Sequence, residues 1–318
     1  MLALETGEET LVGGQAVLEG VMMRSPHAWG IAVRRMPKNE GETGAIVTHS
    51  EPLDRPSEKH KWMGWPVLRG LATLGQAMSL GIKSLRFSSN IALEDVPVNE
   101  EGKTIQISGW VMTVNMIFSL AFFIVMYKFI PLVLATQMKR VAPVFGNYAV
   151  FNLVDGAIRI GIFVAFIWAL SRWKDIHRVF EYHGAEHKTV FTFEAHEPLD
   201  VPVVQKHSTF HPRCGTSFLI TVMMFSILIY AAVPVTTFWA RFAVRLALLP
   251  LVVGLSYEII RYAAKHRSGL FAIMTIPGLW LQRITTQPPD DQQTECAIVA
   301  LNEAMELEKQ RGGELVIA

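Results

Sequence analysis

One short string, His183-Gly184-Ala185-Glu186-His187, carries the strongest chemical signal in the chain. Two histidines four positions apart lie one turn apart on the same face of a helix, so their imidazoles can hold one metal ion. The string matches H-x-x-E-H, a pattern in which two histidines bind zinc and the glutamate between them acts on the attacking water. We therefore interpret His183 and His187 as metal ligands and Glu186 as a catalytic general base.

A second pair of metal-binding residue types follows soon after in the sequence. His211 and Cys214 lie on a proline-containing turn before an apolar stretch, and they supply a nitrogen and a thiol. With the two earlier histidines they make four ligands, a set for which zinc is the typical ion. If all four bind, the site is closed and the metal is structural. If one stays free, a position opens for catalysis.

Further residues are candidates to support this site, by orienting a ligand or by reaching the metal from another element. They are Glu19, Arg24, Glu181, Glu194, His207 and Glu258. Glu19 and Arg24 can equally form a salt bridge within a small β-rich unit.

Cys214 also has a competing role that needs no metal. At a helix N-terminus beside Arg213, with His211 as its base, it could act as a thiol nucleophile.

The chain that positions these residues is strongly apolar. Of its 318 residues, 51% are hydrophobic and 18% are charged, and the mean hydropathy is +0.30. These values indicate a membrane protein rather than a soluble domain. The net charge of +1 offers no basic face for phosphates, so we expect no nucleic-acid partner.

Four apolar stretches approach the length that crosses about 30 Å of hydrocarbon. They lie near residues 104–135, 149–170, 215–240 and 242–260. Lysine and arginine are frequent between the second and third stretches and after the fourth, which predicts that both termini and the His-rich segment are cytoplasmic at the inner membrane. Asp155 and Arg159 can pair on one face of the second stretch. If they keep it from crossing, three spans remain and the His-rich segment changes side.

The segments around these spans have their own patterns. Short apolar runs between turn residues predict a β-rich unit before residue 54, with Gly13-Gly14 as a turn and 38–44 as a hairpin connection. Between residues 64 and 93, apolar residues recur at helical spacing with basic residues off the stripe, which favours an amphipathic helix on an anionic membrane surface. Asp290 and Asp291 follow two prolines and predict the start of a C-terminal helix.

These patterns divide the chain into consecutive segments. The first half is predicted to contain a β-rich cytoplasmic unit at 1–60, an amphipathic interfacial helix and linker at 61–103, and two transmembrane helices at 104–170. A cytoplasmic His-rich segment with the metal site follows at 171–214. Two further transmembrane helices at 215–262 and a cytoplasmic C-terminal segment with a helix at 263–318 complete the prediction.

Five strings, in matching order along the chain, resemble one family. They are GGQAVLEGVMMRSP from Gly13, YHGAEHKTVFTFE from Tyr182, HPRCGTSF from His211, SYEIIR from Ser256 and TTQPPDDQQTECAIVAL from Thr285. The chain is similar to the YqhQ-like family of bacterial membrane proteins, a domain of unknown function described as predicted metal-dependent enzymes. The resemblance implies that the β-unit and the C-terminal helix form one architecture with the bundle. It also makes Glu19 and Arg24 better site candidates.

Together, these patterns predict an α-helical membrane bundle of about four transmembrane helices, with a small N-terminal β-rich cytoplasmic unit and amphipathic interfacial helices. The predicted function is hydrolysis of a lipid or other membrane-held substrate at the cytoplasmic membrane surface, with a divalent metal such as zinc. Two alternatives stay open. One is a non-catalytic membrane scaffold or regulator with a structural metal, and the other is a metal-independent thiol enzyme that uses Cys214. The lipid bilayer is the expected partner, and the substrate is unknown.

Overall fold

A computed structural model describes residues 12–37, 43–54, 60–94, 109–265 and 269–310. The described part of the chain is mainly helical and contains an N-terminal antiparallel sheet of four strands, in the order β1-β2-β3-β4. The predicted combination of a helical chain with an N-terminal β-unit is therefore confirmed. Most of the predicted hairpin connection, at 38–42, and most of the predicted linker, at 95–103, lie outside the described residues, as do residues 104–108 at the start of the first predicted span.

The elements are as follows. The strands are β1 (Gly13–Val17), β2 (Gly20–Arg24), β3 (Ala28–Arg34) and β4 (Ile46–Pro52). The helices are α1 (Leu68–Glu94), α2 (Gly109–Ile124), α3 (Ile130–Val141), α4 (Tyr148–Leu170), α5 (Lys174–Glu194), α6 (Val201–Val204), α7 (Gly215–Ala231), α8 (Phe238–Ala247), α9 (Leu249–Lys265), α10 (Gly269–Thr285) and α11 (Asp291–Gln310). A π-helical turn, Val125–Phe129, joins α2 to α3.

The first hairpin turns at a different place from the one predicted. Gly13 and Gly14 lie inside β1, where they pair with Arg24 and Met23 of β2. The turn falls between Val17 and Gly20, and Glu19 there adopts a left-handed conformation with φ of 51°. Gly14 instead allows a close approach to α5, which is described with the site below, whereas a Cβ atom at Gly13 would meet nothing within 4 Å.

Both faces of the sheet are covered, so all seven residues of β3 are buried. On one face, apolar residues of β2 and β3 pack against α5 and α11; this core includes Val21, Met23, Ala32, Tyr182, Ala185, Ala297, Ala300 and Leu301. The opposite face packs against α1, with Met22, Ile31, Val33, Leu80 and Ile91 in that core. The C-terminal helix and the His-rich helix thus share a core with the sheet, as the family resemblance implies.

The predicted amphipathic helix is present as α1, but part of its surface packs on the sheet. Leu80, Ser84 and Ser88 are buried, whereas Met78 and Leu85 on the predicted apolar stripe are 57% and 42% exposed. Leu80 therefore belongs to the face that meets the sheet, whereas other apolar residues of the predicted stripe remain outside. The location of α1 at a membrane surface stays a prediction.

Within the described residues, two helical segments are long and apolar enough to cross a membrane, Thr113–Val141 and Tyr148–Leu170. The pair α8 and α9 would make a third span if it is one unit, although it bends by 47°. The apolar helix α7 has only 17 residues. Four spans were predicted, and length and composition support two to three. Pro234 and Pro250 account for the difference, because proline cannot donate the hydrogen bond that continues a helix.

An ion-pair cluster joins the helices of this bundle. Asp155 contacts Arg159 on α4, as the four-residue spacing predicts, and its carboxylate also accepts a hydrogen bond of 2.6 Å from Arg245 of α8. Lys128 in the π-helical turn donates to the Tyr230 hydroxyl of α7 at 3.0 Å. Buried charges of this kind are typically paired, and here the contacts join the π-helical turn, α4, α7 and α8.

Candidate metal centre

The His-rich helix and the start of an apolar helix bring three potential ligands together. α5 carries His183 and His187 on one face, with ring centroids 4.5 Å apart. Cys214 is the N-cap residue of α7, and its sulfur accepts from the Thr216 N–H. The ligand atoms of His183, His187 and Cys214 all lie within 4.8 Å of one another. These three side chains therefore form a group that could hold a metal ion.

Backbone carbonyls fix the orientation of both imidazoles. The Nδ1 atom of His183 lies 2.8 Å from the carbonyl oxygen of Thr285, and that of His187 lies 2.5 Å from the carbonyl oxygen of Thr209. A carbonyl only accepts, so Nδ1 carries the proton in each ring and Nε2 presents a lone pair. Metal-binding histidines typically have this arrangement. Thr285 ends α10, where helix carbonyls lack intrahelical partners and are free to accept such a bond.

The Nε2 atom of His187 is buried and has no hydrogen-bond partner among the residues that the structure describes. Buried polar atoms are almost always satisfied, and a metal ion is one partner that this nitrogen could take. Burial also lowers the pKa of His187, which favours the neutral imidazole that binds metals. The Nε2 atom of His183 lies 3.3 Å from the Cys214 sulfur. The donor set of two nitrogens and one sulfur suits zinc or a similar ion.

Glu186 is the carboxyl group beside these ligands. Its Oε2 lies 3.4 Å from His187 Nε2, and only 7% of its side chain is exposed. Burial raises the pKa of Glu186, although the charges of His183 and His211 and a hydrogen bond from the Gly14 N–H act in the opposite direction. A raised pKa makes a carboxylate a better proton acceptor than an exposed glutamate.

Glycine at position 14 makes room for this carboxylate. A Cβ atom there would lie 2.8 Å from the Glu186 Cγ atom and 2.5 Å from the carbonyl oxygen of Met22. The strand can therefore approach α5 only without a side chain at this position. The Gly13-Gly14 pair was the sequence signal for this contact, but its function depends on an element more than a hundred residues away.

His211, the fourth predicted ligand, lies beside the group but outside the set of three. Its ring centroid is 5.7 Å from that of His187, and its Nε2 atom is buried without a hydrogen-bond partner in the described structure. The same atom lies 3.5 Å from Glu194 Oε1, and Glu194 is paired with Arg213. Gln282 holds the His211 backbone through two hydrogen bonds of 2.8 Å. Metal binding by His211 stays a prediction.

The other candidates near α5 hold its surroundings together. Glu19 accepts two hydrogen bonds of 2.6 Å from Arg178, rather than pairing with Arg24 as one interpretation of the sequence expected. Arg24 lies at the end of β2 near Tyr257, and burial lowers its pKa. Glu181 accepts a hydrogen bond of 2.7 Å from Gln293 of α11.

Two further candidates also lie in contacts of their own. His207 is 3.2 Å from Glu197 Oε2. The Glu258 carboxylate accepts hydrogen bonds from the Arg69 guanidinium and the Val67 N–H. Glu258 therefore attaches α9 to the start of α1 and does not join the three-residue group, as had been expected from its position near the end of the predicted fourth span.

Lys188, which sequence reasoning missed, positions the loop that completes the site. Its ammonium group is buried and donates to the carbonyl oxygens of Gln205 and His207 at 2.6 and 2.8 Å. These contacts hold in place the segment whose Thr209 carbonyl oxygen contacts the His187 ring. No local pattern indicates this function, because a lysine on a helix is usually solvated.

Gly184 is the closest contact between α5 and the segment after α10. A Cβ atom at this position would lie 2.0 Å from the carbonyl oxygen of Gln287, so the two backbones touch. We expect Gly184→Ala to lower the free energy of unfolding by about 1–3 kcal/mol, since the new methyl group must displace this backbone. The displacement should also disturb the Thr285 contact to His183. Thermal unfolding and metal retention measure the two effects.

The matched control is Gly75→Ala, also within a helix, where a Cβ atom meets nothing within 4 Å. This variant should be as stable as the parent or slightly more stable, because alanine favours helix over glycine. Equal melting temperatures for the Gly184 variant and the parent would contradict the backbone contact described above.

Comparison with known proteins identifies the family. A family model described as "Protein of unknown function (DUF1385)" matches residues 65–307, a range that includes all three members of the candidate metal group. The chain is 34% identical over 306 residues to "Uncharacterized protein YqhQ" of Bacillus subtilis (strain 168), covering 93% of this chain and 92% of that protein. No solved structure matches the chain. The protein belongs to the DUF1385 family and is a homologue of YqhQ.

Proposed function

We propose that this protein is a metal-dependent hydrolase of a membrane-held substrate, with zinc as the ion. The observation that carries the proposal is the unpartnered, buried Nε2 atom of His187, which lies between a second imidazole, a thiol and a buried carboxyl group. His183, His187 and Cys214 would hold the ion. Zinc with an open coordination position supplies a Lewis acid that activates water for hydrolysis.

Glu186 then acts as the general base. Its Oε2 atom accepts a proton from the attacking water and returns it to the leaving group. The burial that raises the pKa of Glu186 supports both steps, because it makes the carboxylate a stronger base than an exposed glutamate. Gly14 keeps the carboxylate in position through its N–H group.

The proposed location is the cytoplasmic surface of the inner membrane, with both termini cytoplasmic. Cys214 directly precedes the apolar helix α7, which supports a metal group at the boundary between water and hydrocarbon. The Lys and Arg excess around α5 supports the cytoplasmic side. In this proposal α7 and the bent pair of α8 and α9 cross the membrane as the third and fourth spans.

Two observations favour the alternative functions. His211 could supply a fourth ligand, since its ring centroid is 5.7 Å from that of His187, and four ligands would close the site and make the metal structural in a scaffold or regulator. The contact of 3.3 Å between the Cys214 sulfur and His183 Nε2 resembles a thiol–imidazole pair, which would serve a metal-independent thiol enzyme.

An assay on reconstituted protein separates the three functions. Zinc-loaded protein in vesicles of a bacterial lipid extract should release products that mass spectrometry detects, and protein stripped of metal should release none. Product release that survives metal removal but is lost in Cys214→Ser would favour the thiol enzyme. Absence of products from both preparations, across extracts that contain lipids and lipid-linked compounds, would favour the scaffold.

A further inference from the structure

Two cavities lie along the second candidate span, away from the metal group. The first has a volume of about 320 Å³ and is lined by apolar residues of α2, the π-helical turn and α4, with Ser119 among them. The second has a volume of about 430 Å³ and is lined by Ser171, Arg172, Lys174, His177 and Arg178. It occupies the turn between α4 and α5. One cavity is thus apolar and the other basic.

The two cavities follow one another on a single helix face. Phe163, Ile167 and Ser171 are spaced four residues apart, so they lie on the same side of α4 and its last turn. Phe163 and Ile167 line the apolar cavity, and Ser171 lines the basic one. At about 1.5 Å per residue, Ile167 and Ser171 are separated by roughly 6 Å along the helix axis. The basic pocket therefore lies next to the apolar groove along α4.

Aromatic rings form most of the groove, and several of them are open to the surroundings. Phe118, Phe122 and Phe123 of α2 are 70%, 41% and 43% exposed. Phe122 and Phe166 face each other across the groove with centroids 5.9 Å apart. These residues belong to the two segments that are long and apolar enough to cross a membrane, so the groove faces hydrocarbon. A groove of this chemistry fits an acyl chain.

The basic pocket carries positive charge that the described protein does not neutralise. Arg178 is paired with Glu19, and His177 lies 3.6 Å from Glu181. Among the described residues, Arg172 and Lys174 form no ion pair. Arg172 instead stacks on the Trp168 ring at 4.8 Å.

The N-terminus of α5 adds to this positive potential. The N-cap residue of that helix, Trp173, offers no side-chain cap, which leaves N–H groups of the first turn exposed on this side. Asp175 is the acid of that first turn, and it does not line the cavity. The pocket therefore fits an anionic group.

Tryptophans mark the level of this pocket relative to a bilayer. Trp168 and Trp173 flank the turn and are 52% and 68% exposed. Tryptophan is enriched where membrane spans meet the headgroup layer. The pocket thus lies at headgroup level, directly beyond a groove at hydrocarbon level, and basic pockets at that level bind anionic headgroups.

We propose that the groove and the pocket form one binding site for an anionic phospholipid. An acyl chain occupies the aromatic groove, and the headgroup phosphate binds Arg172 and Lys174. The neighbouring aromatic groove distinguishes a lipid from free phosphate, because a soluble anion would gain nothing from the aromatic rings. This is a binding site, and it stands whether or not the metal group is catalytic.

Lipid titration of the full-length protein in detergent tests the proposal, with phosphatidylglycerol and phosphatidylcholine of identical chains as probes. The parent should bind phosphatidylglycerol at least about tenfold more tightly than phosphatidylcholine. Arg172→Gln with Lys174→Gln should remove this preference, because phosphatidylglycerol binding should fall to the level of phosphatidylcholine. Ser119→Phe should fill the groove and weaken both lipids equally.

The matched control replaces Lys139 and Arg140 by Gln at the opposite end of the first span, where both are exposed. This variant should keep the preference of the parent. Melting temperatures show that each variant is folded, and glycerol phosphate tests the headgroup alone. Equal binding of the two lipids by the parent would overturn the proposal. So would a preference that survives the Arg172 and Lys174 changes, or glycerol phosphate binding as tight as that of the lipid.

Discussion

Glu186→Gln is expected to reduce hydrolysis by about a hundredfold or more while the protein keeps its metal and its melting temperature. The amide preserves the size of the side chain and can still contact the Gly14 N–H, but it cannot accept a proton from water. Product release from the vesicle assay measures the rate. Elemental analysis and thermal unfolding show that the metal and the fold remain.

Glu306→Gln, at an exposed position on α11, is the matched control and should behave as the parent. Full hydrolysis by the Glu186 variant would exclude the carboxylate as the base. Loss of the metal from that variant would instead identify Glu186 as a ligand, and the H-x-x-E-H mechanism would have to be abandoned.

His187→Ala should lower metal occupancy and thermal stability together. In the proposed site the ion would bind the folded chain through residues of two separate elements, so its binding free energy would contribute to folding. At a free ion concentration a thousandfold above the dissociation constant, this contribution is about 4 kcal/mol. A chelator should therefore lower the melting temperature of the parent protein and leave that of the His187 variant unchanged.

His60→Ala, at an exposed histidine, serves as the control and should respond to chelator as the parent does. The opposite pattern is a parent protein whose melting temperature is the same with and without chelator. That result would mean that no metal stabilises the fold and that the His187 Nε2 atom binds something other than a metal ion.

The local part of the site could be predicted from the sequence. Two histidines four residues apart share a helix face whatever the rest of the chain does, and Cys214 before an apolar stretch predicts a helix N-terminus. The carbonyls of Thr285 and Thr209 could not be predicted, because they reach the two imidazoles from other elements. The same applies to Glu258, since its pairing with Arg69 depends on how α1 packs against α9.

The two glycines of the site show the same limit. Gly-Gly favours a turn on local grounds, yet Gly14 lies in a strand because the sheet must approach the Glu186 side chain. Gly184 lies inside a helix, where glycine is unfavourable, because the backbone at Gln287 leaves no room for a methyl group. In both cases a contact made by a distant element outweighs the local preference.

The prediction of the membrane spans was only partly correct, and the reason differs from that for the glycines. Hydropathy reports the length of an apolar stretch, and on that basis four stretches qualified. It does not report whether a helix continues through the stretch. α7 ends at Ala231, shortly before Pro234, and Pro250 lies at the break between α8 and α9. The prolines were visible in the sequence and were the signal that the third and fourth stretches would be interrupted.

Elemental analysis of the purified protein tests the central claim most directly. Protein purified in detergent without chelator should contain about one equivalent of zinc or a similar ion per chain. His183→Ala, His187→Ala and Cys214→Ala should each lower that value, and His211→Ala decides whether a fourth residue binds. A parent protein that stays free of metal after incubation with zinc, or occupancy that all three substitutions leave unchanged, would contradict the metal centre.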